Sequence, residues 1–156
     1  MKTLIAILLI ALTSSALADS HKLAVPANPQ WQSECGSCHM AYPPQLLTAE
    51  NWRQMMKGLD RHFGANATLD AKENAEILAF LERYAAHDPR YSGYNEHALR
   101  ITDTAWFQRK HREVSNSVWS HAKVKSRANC TACHVTAERG DWSERSIRMP
   151  DGRRWE

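Results

Sequence analysis

Two short stretches of the 156-residue chain share one pattern of reactive side chains, Cys35-Gly36-Ser37-Cys38-His39 and Cys130-Thr131-Ala132-Cys133-His134. Each is C-x-x-C-H, and all four cysteines fall in these two copies. Two thiols at this spacing close thioethers on the two vinyl groups of a c-type haem, and the adjacent histidine reaches the iron from one side. The pattern predicts two covalently bound haem c groups, each with its iron. Cys35, Cys38, Cys130 and Cys133 would attach them, and His39 and His134 would be the proximal ligands.

Three other uses of paired cysteines compete with this one. A disulfide framework suits an even cysteine count in an exported protein, but it does not call for a histidine after each pair. Zinc sites built from C-x-x-C pairs want about 15 to 20 residues between the pairs, whereas Cys38 and Cys130 stand 92 positions apart. A thioredoxin-like pair belongs in a βαβ setting, which this Val- and Ile-poor chain does not offer.

What fills the sixth position of each iron decides the chemistry. Six further histidines are available: His21, His62, His87, His97, His111 and His121. His62 extends the apolar stripe Trp52, Met55, Leu59. His111 lies on the stripe Phe107, Val114, Val118, only 19 residues before Cys130. A histidine on an apolar face is otherwise a capping or core residue, but an iron in need of a ligand favours ligation for both. His121 falls on the same stripe as His111, near the predicted helix end, and competes with it. His21, His87 and His97 read as solvated, with the alternative that one of them crosses between domains. Met55 and Met56 read as core filler in a helix rather than as ligands.

The elements that must position these residues are helical. Asp19 to Gln30, with Pro26 and Pro29, reads as an extended lead-in, and Trp31 to His39 as a short helical entry to the first motif. A helix capped by Thr48 is expected to run to a stop at Gly64, weakened at Gly58. A second begins at Asp70, buries Ile77, Phe80, Leu81 and Tyr84, and ends before Asp88-Pro89. A third is expected from Thr104 to about Ser120. No convincing strand is seen, so the fold class is mainly α, with two small haem domains in series. The boundaries are 19–87 for the N-terminal haem domain, 88–100 for a linker and 101–156 for the C-terminal haem domain.

Residues 1–18 read as an export signal: Lys2, an apolar run from Leu4 to Leu12 and the small-residue site Ala16-Leu17-Ala18. That run is too short to span a bilayer, so a soluble periplasmic protein without stable membrane insertion is expected. In the remaining 138 residues Leu, Ile, Val and Phe together number only 19. So few aliphatic side chains cannot build a large core, and the bulk of two haems would supply the missing apolar volume. The chain without haem is not expected to fold stably.

Charge is divided along the chain. Residues 19–99 carry a net charge of −3 and residues 100–156 a net charge of +5. The whole is only weakly basic, which argues against nucleic acid as a partner. The basic half suits either docking of an acidic redox partner or neutralisation of haem propionates.

The order of several motifs resembles a known family, the small bacterial dihaem cytochromes c that partner an oxygen-binding monohaem cytochrome. The resemblance rests on Glu34 through Pro44, on His62-Phe63-Gly64, on Trp106-Phe107 with Arg109-Lys110-His111, and on Val124-Lys125-Ser126 leading into Asn129 through His134. It implies a first domain similar to class I cytochrome c and a smaller second haem domain. It also implies two low-spin haems, each held by two histidines, with His62 and His111 as distal ligands.

With two nitrogen ligands on each iron, neither would have an open position, and the protein would be an electron carrier rather than an enzyme. Imidazole in place of a thioether makes both couples low in potential. A compact chain of this length has a radius of gyration of about 14 Å, so the two haems would lie close together. Redox proteins are the expected partners: an oxygen-binding monohaem cytochrome, and a membrane cytochrome b-type donor for a protein working as a monomer. The rival reading is a dihaem enzyme or gas-binding cytochrome, peroxidase-like, with one open iron. A haem-based sensor module is a further alternative, but no attached signalling domain supports it.

Overall fold

The computed structural model describes residues 23, 25–87 and 99–155. The export signal, His21, His97 and residues 88–98 of the predicted linker lie outside the described residues.

The first half is built from three helices. Helix α1, Pro29–Gly36, starts two residues earlier than the sequence suggests, because the Asn28 side chain accepts the Trp31 amide and Pro29 takes the first turn, where its missing N–H is harmless. Helix α2, Ala49–Lys57, is capped by the Thr48 hydroxyl, which accepts from Asn51. Helix α3, Ala71–Tyr84, is capped by Asp70, whose carboxylate accepts the Glu73 amide at 2.8 Å.

Helix α2 stops at Gly58 instead of reaching Gly64. A 3-10 turn over Leu59–Arg61 follows, and the Leu59 carbonyl is taken by the Ala67 amide at 2.9 Å, so His62 stands in a turn rather than in a helix. The apolar stripe survives the break, since Leu59 is buried with Trp52, Met55 and Met56. These residues pack against Ile77, Leu81 and Ala85 from α3 and its C-terminal cap, with Trp31 of α1 and Leu47 closing the cluster. Buried Trp52 donates its indole N–H to the Pro44 carbonyl at 2.7 Å, which ties the Pro43-Pro44 segment beyond the first motif to this core.

The second half is made mostly of turns. Leu99 and Ile101 pack against the core of the first half. The expected third helix divides into α4, Ala105–Lys110, and α5, Asn116–Trp119. The division falls at His111, whose backbone leaves helical geometry (φ −111°, ψ 14°); its N–H makes the last helical bond to the Phe107 carbonyl at 3.0 Å, and its imidazole Nδ1 donates to the same carbonyl at 2.9 Å. Ser115 then starts α5 afresh. Short 3-10 turns at Cys130–Ala132, Ala137–Arg139 and Glu144–Ser146 complete the path. Its tail returns to the second motif, the Arg148 amide donating to the Cys133 carbonyl at 2.9 Å. Among the described residues there is no strand, only isolated bridges such as Thr48 with Ala86.

Candidate functional site: two facing imidazole pairs

The first motif leaves the C-terminal end of α1, so Cys35 lies within the helix while Cys38 and His39 lie in the turns beyond it. The His39 ring stands 6.1 Å, centroid to centroid, from the ring of His62, which the 3-10 turn after α2 delivers to the same place. The second motif repeats the arrangement from different parts. His134, just past the turn at Cys130–Ala132, stands 6.1 Å from His111 at the end of α4.

That separation has a chemical meaning. A metal–nitrogen bond is about 2 Å long, and the centre of an imidazole lies about 1 Å behind its bonding nitrogen. Two imidazoles on opposite sides of one iron therefore have centroids about 6 Å apart. The pairs differ in twist: the planes of His39 and His62 meet at 32°, those of His111 and His134 at 76°.

The hydrogen bonds suit ligation through Nε2. His39 Nδ1 donates to the Met40 carbonyl at 2.7 Å and His111 Nδ1 to the Phe107 carbonyl at 2.9 Å, which fixes the tautomer and leaves Nε2 bare. The Nδ1 atoms of His62 and His134 are buried with no partner in the protein, as is the indole nitrogen of Trp142, whose ring lies 5.1 Å from His134. Buried polar atoms are rarely left in this state, and the orphaned donors beside His134 suit an acceptor brought by a bound group, such as a haem propionate. The residues present thus fit an iron-bearing haem in each site.

Burial favours the neutral form, the one able to ligate a metal, in His62, His111 and His134. Burial, with His111 opposite, pushes the His134 ring down to about 4. Burial also lowers His62, with smaller contributions from His39 and Arg100, and it lowers His111 against the opposing effect of the Phe107 carbonyl. The thiols are shifted the other way, Cys35 and Cys130 each raised to about 11, chiefly by burial. Reactive thiolate pairs need lowered values, so a thioredoxin-like role has no support here. None of the four cysteines is in a disulfide, and among the described residues no three His, Cys, Asp or Glu side chains converge as a metal cage would.

The other candidates fall elsewhere. Met55 and Met56 are buried in the first core. His87 is exposed, and the His121 ring accepts the Lys123 amide at 3.2 Å within its own turn.

Of the aromatic lining, the sequence pointed to Phe107 on the His111 stripe but gave Tyr42 and Trp119 no role. Tyr42 stacks on His39 at 4.6 Å, Phe107 on His111 at 4.0 Å, and Trp119 lies 5.9 Å from His111. Each lies three to eight positions from its histidine in the chain. An aromatic residue near a ligand candidate was the available signal. Arg100 sits 4.0 Å over the Phe63 ring, and Arg127 5.0 Å over Trp119, placing cations at the rim of each site.

The two halves also meet. Tyr42 donates its hydroxyl to the Ala128 carbonyl at 2.6 Å, across 86 positions of sequence. A cavity of about 610 Å³ beside the first motif is lined by Trp31, Cys38, His39 and Pro43 and, from the second half, by Ala137 and Arg139.

The chain is similar in sequence and fold to known dihaem proteins. Residues 31–142 match the family model described as dihaem cytochrome c. The fold is similar to that of a dihaem cytochrome c from Shewanella baltica OS155, with a TM-score of 0.73 and 39% identity over 85% of this chain and 100% of that one. A dihaem cytochrome c from Rhodobacter sphaeroides gives a TM-score of 0.70 and 40% identity over 76% of this chain and 98% of that one. No curated protein sequence matches the chain. Two C-x-x-C-H motifs, a helical fold without strands among the described residues, and relatives of the same build lead to one conclusion: the chain belongs to the dihaem cytochrome c family and carries two covalently bound c-type haems.

Proposed function

We propose that the protein is a periplasmic electron carrier in which both haem irons are held by two histidines, His39 with His62 and His134 with His111. The observation that carries the reading is the 6.1 Å separation of the imidazoles in both pairs. When bound, each haem supplies one Fe(III)/Fe(II) couple, and two imidazole ligands without a thioether make that couple low in potential.

The chain's own residues do the rest. The carbonyls of Met40 and Phe107 orient one imidazole in each pair. Trp52, Met55, Met56 and Leu59 anchor the segment that carries His62, and Phe107 and Trp119 flank His111. A second imidazole facing each proximal one leaves no place for a substrate, which favours a carrier over an enzyme. Preset ligands change little between oxidation states, so an electron moves with little rearrangement.

The signal-like residues 1–18 support export to the periplasm, and among the described residues no helix is long and apolar enough to cross a membrane. As partners we propose a membrane cytochrome b-type donor and an oxygen-binding monohaem cytochrome as acceptor. An acidic partner would dock on the basic second half, and the rate of its reduction should then fall as ionic strength rises.

The ligand assignment is tested by His62→Ala and His111→Ala. Near-infrared magnetic circular dichroism of the ferric protein should show bis-imidazole signals from both haems, and each variant should lose one and gain a high-spin haem. A signal of imidazole–thioether type in the unaltered protein, or loss of the second bis-imidazole haem in His121→Ala instead, contradicts the assignment.

A further inference from the structure

We propose that Tyr42 is a positioning residue that couples the two haem sites, holding an axial ligand of the first against the segment that bears the attachment cysteines of the second. The inference rests on the reading of both sites as bis-histidine haem centres. Its ring lies on the His39 imidazole at 4.6 Å and 19°, close to parallel. Its hydroxyl donates to the Ala128 carbonyl at 2.6 Å. That carbonyl also accepts the Cys130 amide at 3.0 Å, so it belongs to the turn that presents the second motif.

One side chain thus touches a ligand of one iron and the backbone beside an attachment point of the other. Phenylalanine would stack on His39 as well, but it would leave the second motif unheld. The backbone that carries the ring is held as well. Pro43 and Pro44 are both buried, and Pro43 confines the backbone of Tyr42 to extended conformations, while the ring is held by its contacts with His39 and Ala128. The Pro44 carbonyl is in turn held by Trp52.

The step served is the passage of one electron from the reduced site to the oxidised site. Tyr42 neither gains nor loses an electron, and its phenol keeps its proton. What it contributes is a fixed contact between the two sites.

The test uses the haem-loaded protein and its Tyr42→Phe and Tyr42→Ala variants. Equilibration of one electron between the haems is timed after rapid photochemical reduction, and the Soret circular dichroism couplet reports how the two haems face each other. Tyr42→Phe should slow equilibration severalfold. Tyr42→Ala, which also removes the ring stacked on His39, should slow it more than Tyr42→Phe does and should change the couplet. Both variants should keep low-spin visible spectra. If Tyr42→Phe, with its low-spin spectrum intact, equilibrates as fast as the unaltered protein, the proposal is overturned while the ligation reading stands. The same holds if Tyr42→Ala leaves rate and couplet unchanged. A high-spin haem in the unaltered protein would instead overturn the ligation reading.

Discussion

Both haem sites set two imidazoles 6.1 Å apart, yet they stand on unlike supports. The first is braced by α1, α2 and α3 around a buried cluster of Trp31, Leu47, Trp52, Met55, Met56, Leu59, Ile77, Leu81 and Ala85. The second rests on helices of six and four residues and a series of 3-10 turns. Its buried apolar side chains include Phe107, Val124 and Ala137, spread through the sequence rather than gathered on facing helices. Isolated helices so short are marginal in water, and scattered burial does not offset the entropy of ordering the chain. The same facing of two imidazoles is thus reached once on a protein core and once on a scaffold whose missing apolar volume a bound haem would supply.

Removing each cofactor in turn should break this symmetry most sharply. In the Cys130→Ala, Cys133→Ala double variant, residues 99–155 should lose nearly all amide protection in hydrogen exchange, while α2 and α3 keep theirs. In the Cys35→Ala, Cys38→Ala pair, α2 and α3 should retain measurable protection. Equal loss in both halves in either variant would mean that the supports do not differ.

A cavity in the first core gives a smaller effect. Ile77 is fully buried in the cluster that α2 and α3 share. Ile77→Ala should cost about 2 to 5 kcal/mol in chemical denaturation monitored at the first haem. The low-spin spectrum of the second haem should persist past the midpoint of the first. Loss of both haem signals in a single transition would show that the second half has no stability of its own.

The smallest difference is spectroscopic and leaves the protein unaltered. Imidazole planes that are nearly parallel separate the two upper iron d orbitals of the lower set, whereas nearly perpendicular planes leave them almost equal in energy. The His39–His62 haem, with its 32° twist, should give a rhombic low-spin ferric signal in electron paramagnetic resonance. The His111–His134 haem, at 76°, should give a strongly anisotropic one with a large maximal g value. Two identical rhombic signals would contradict the difference in twist.

Features set by nearest neighbours in the chain were legible in the sequence. The two C-x-x-C-H motifs, the caps at Thr48 and Asp70 and the stripe from Trp52 to Leu59 depend on local spacing, and they appear where that spacing puts them. His62 and His111 stand out in the sequence because they lie on apolar stripes, and the structure brings each against a proximal candidate. The helix ends were less legible, because an apolar stripe can continue past the point where the backbone leaves helical geometry. Gly58 caps α2 and the following turn is held by the Ala67 amide on the Leu59 carbonyl, while α4 gives way at His111, whose ring also bonds the Phe107 carbonyl. Periodicity alone carries both helices too far. Tyr42 and Trp142 were hidden for a further reason: their partners lie in turns, where no repeat relates one side chain to the next.

The central claim, that each iron is closed by a second histidine, is tested most directly by the visible spectrum of the purified protein, oxidised and reduced, before and after carbon monoxide is added. The account predicts two low-spin haems whose reduced spectrum carbon monoxide leaves unchanged. A high-spin component that binds carbon monoxide promptly would mean that one iron is open, and would contradict it.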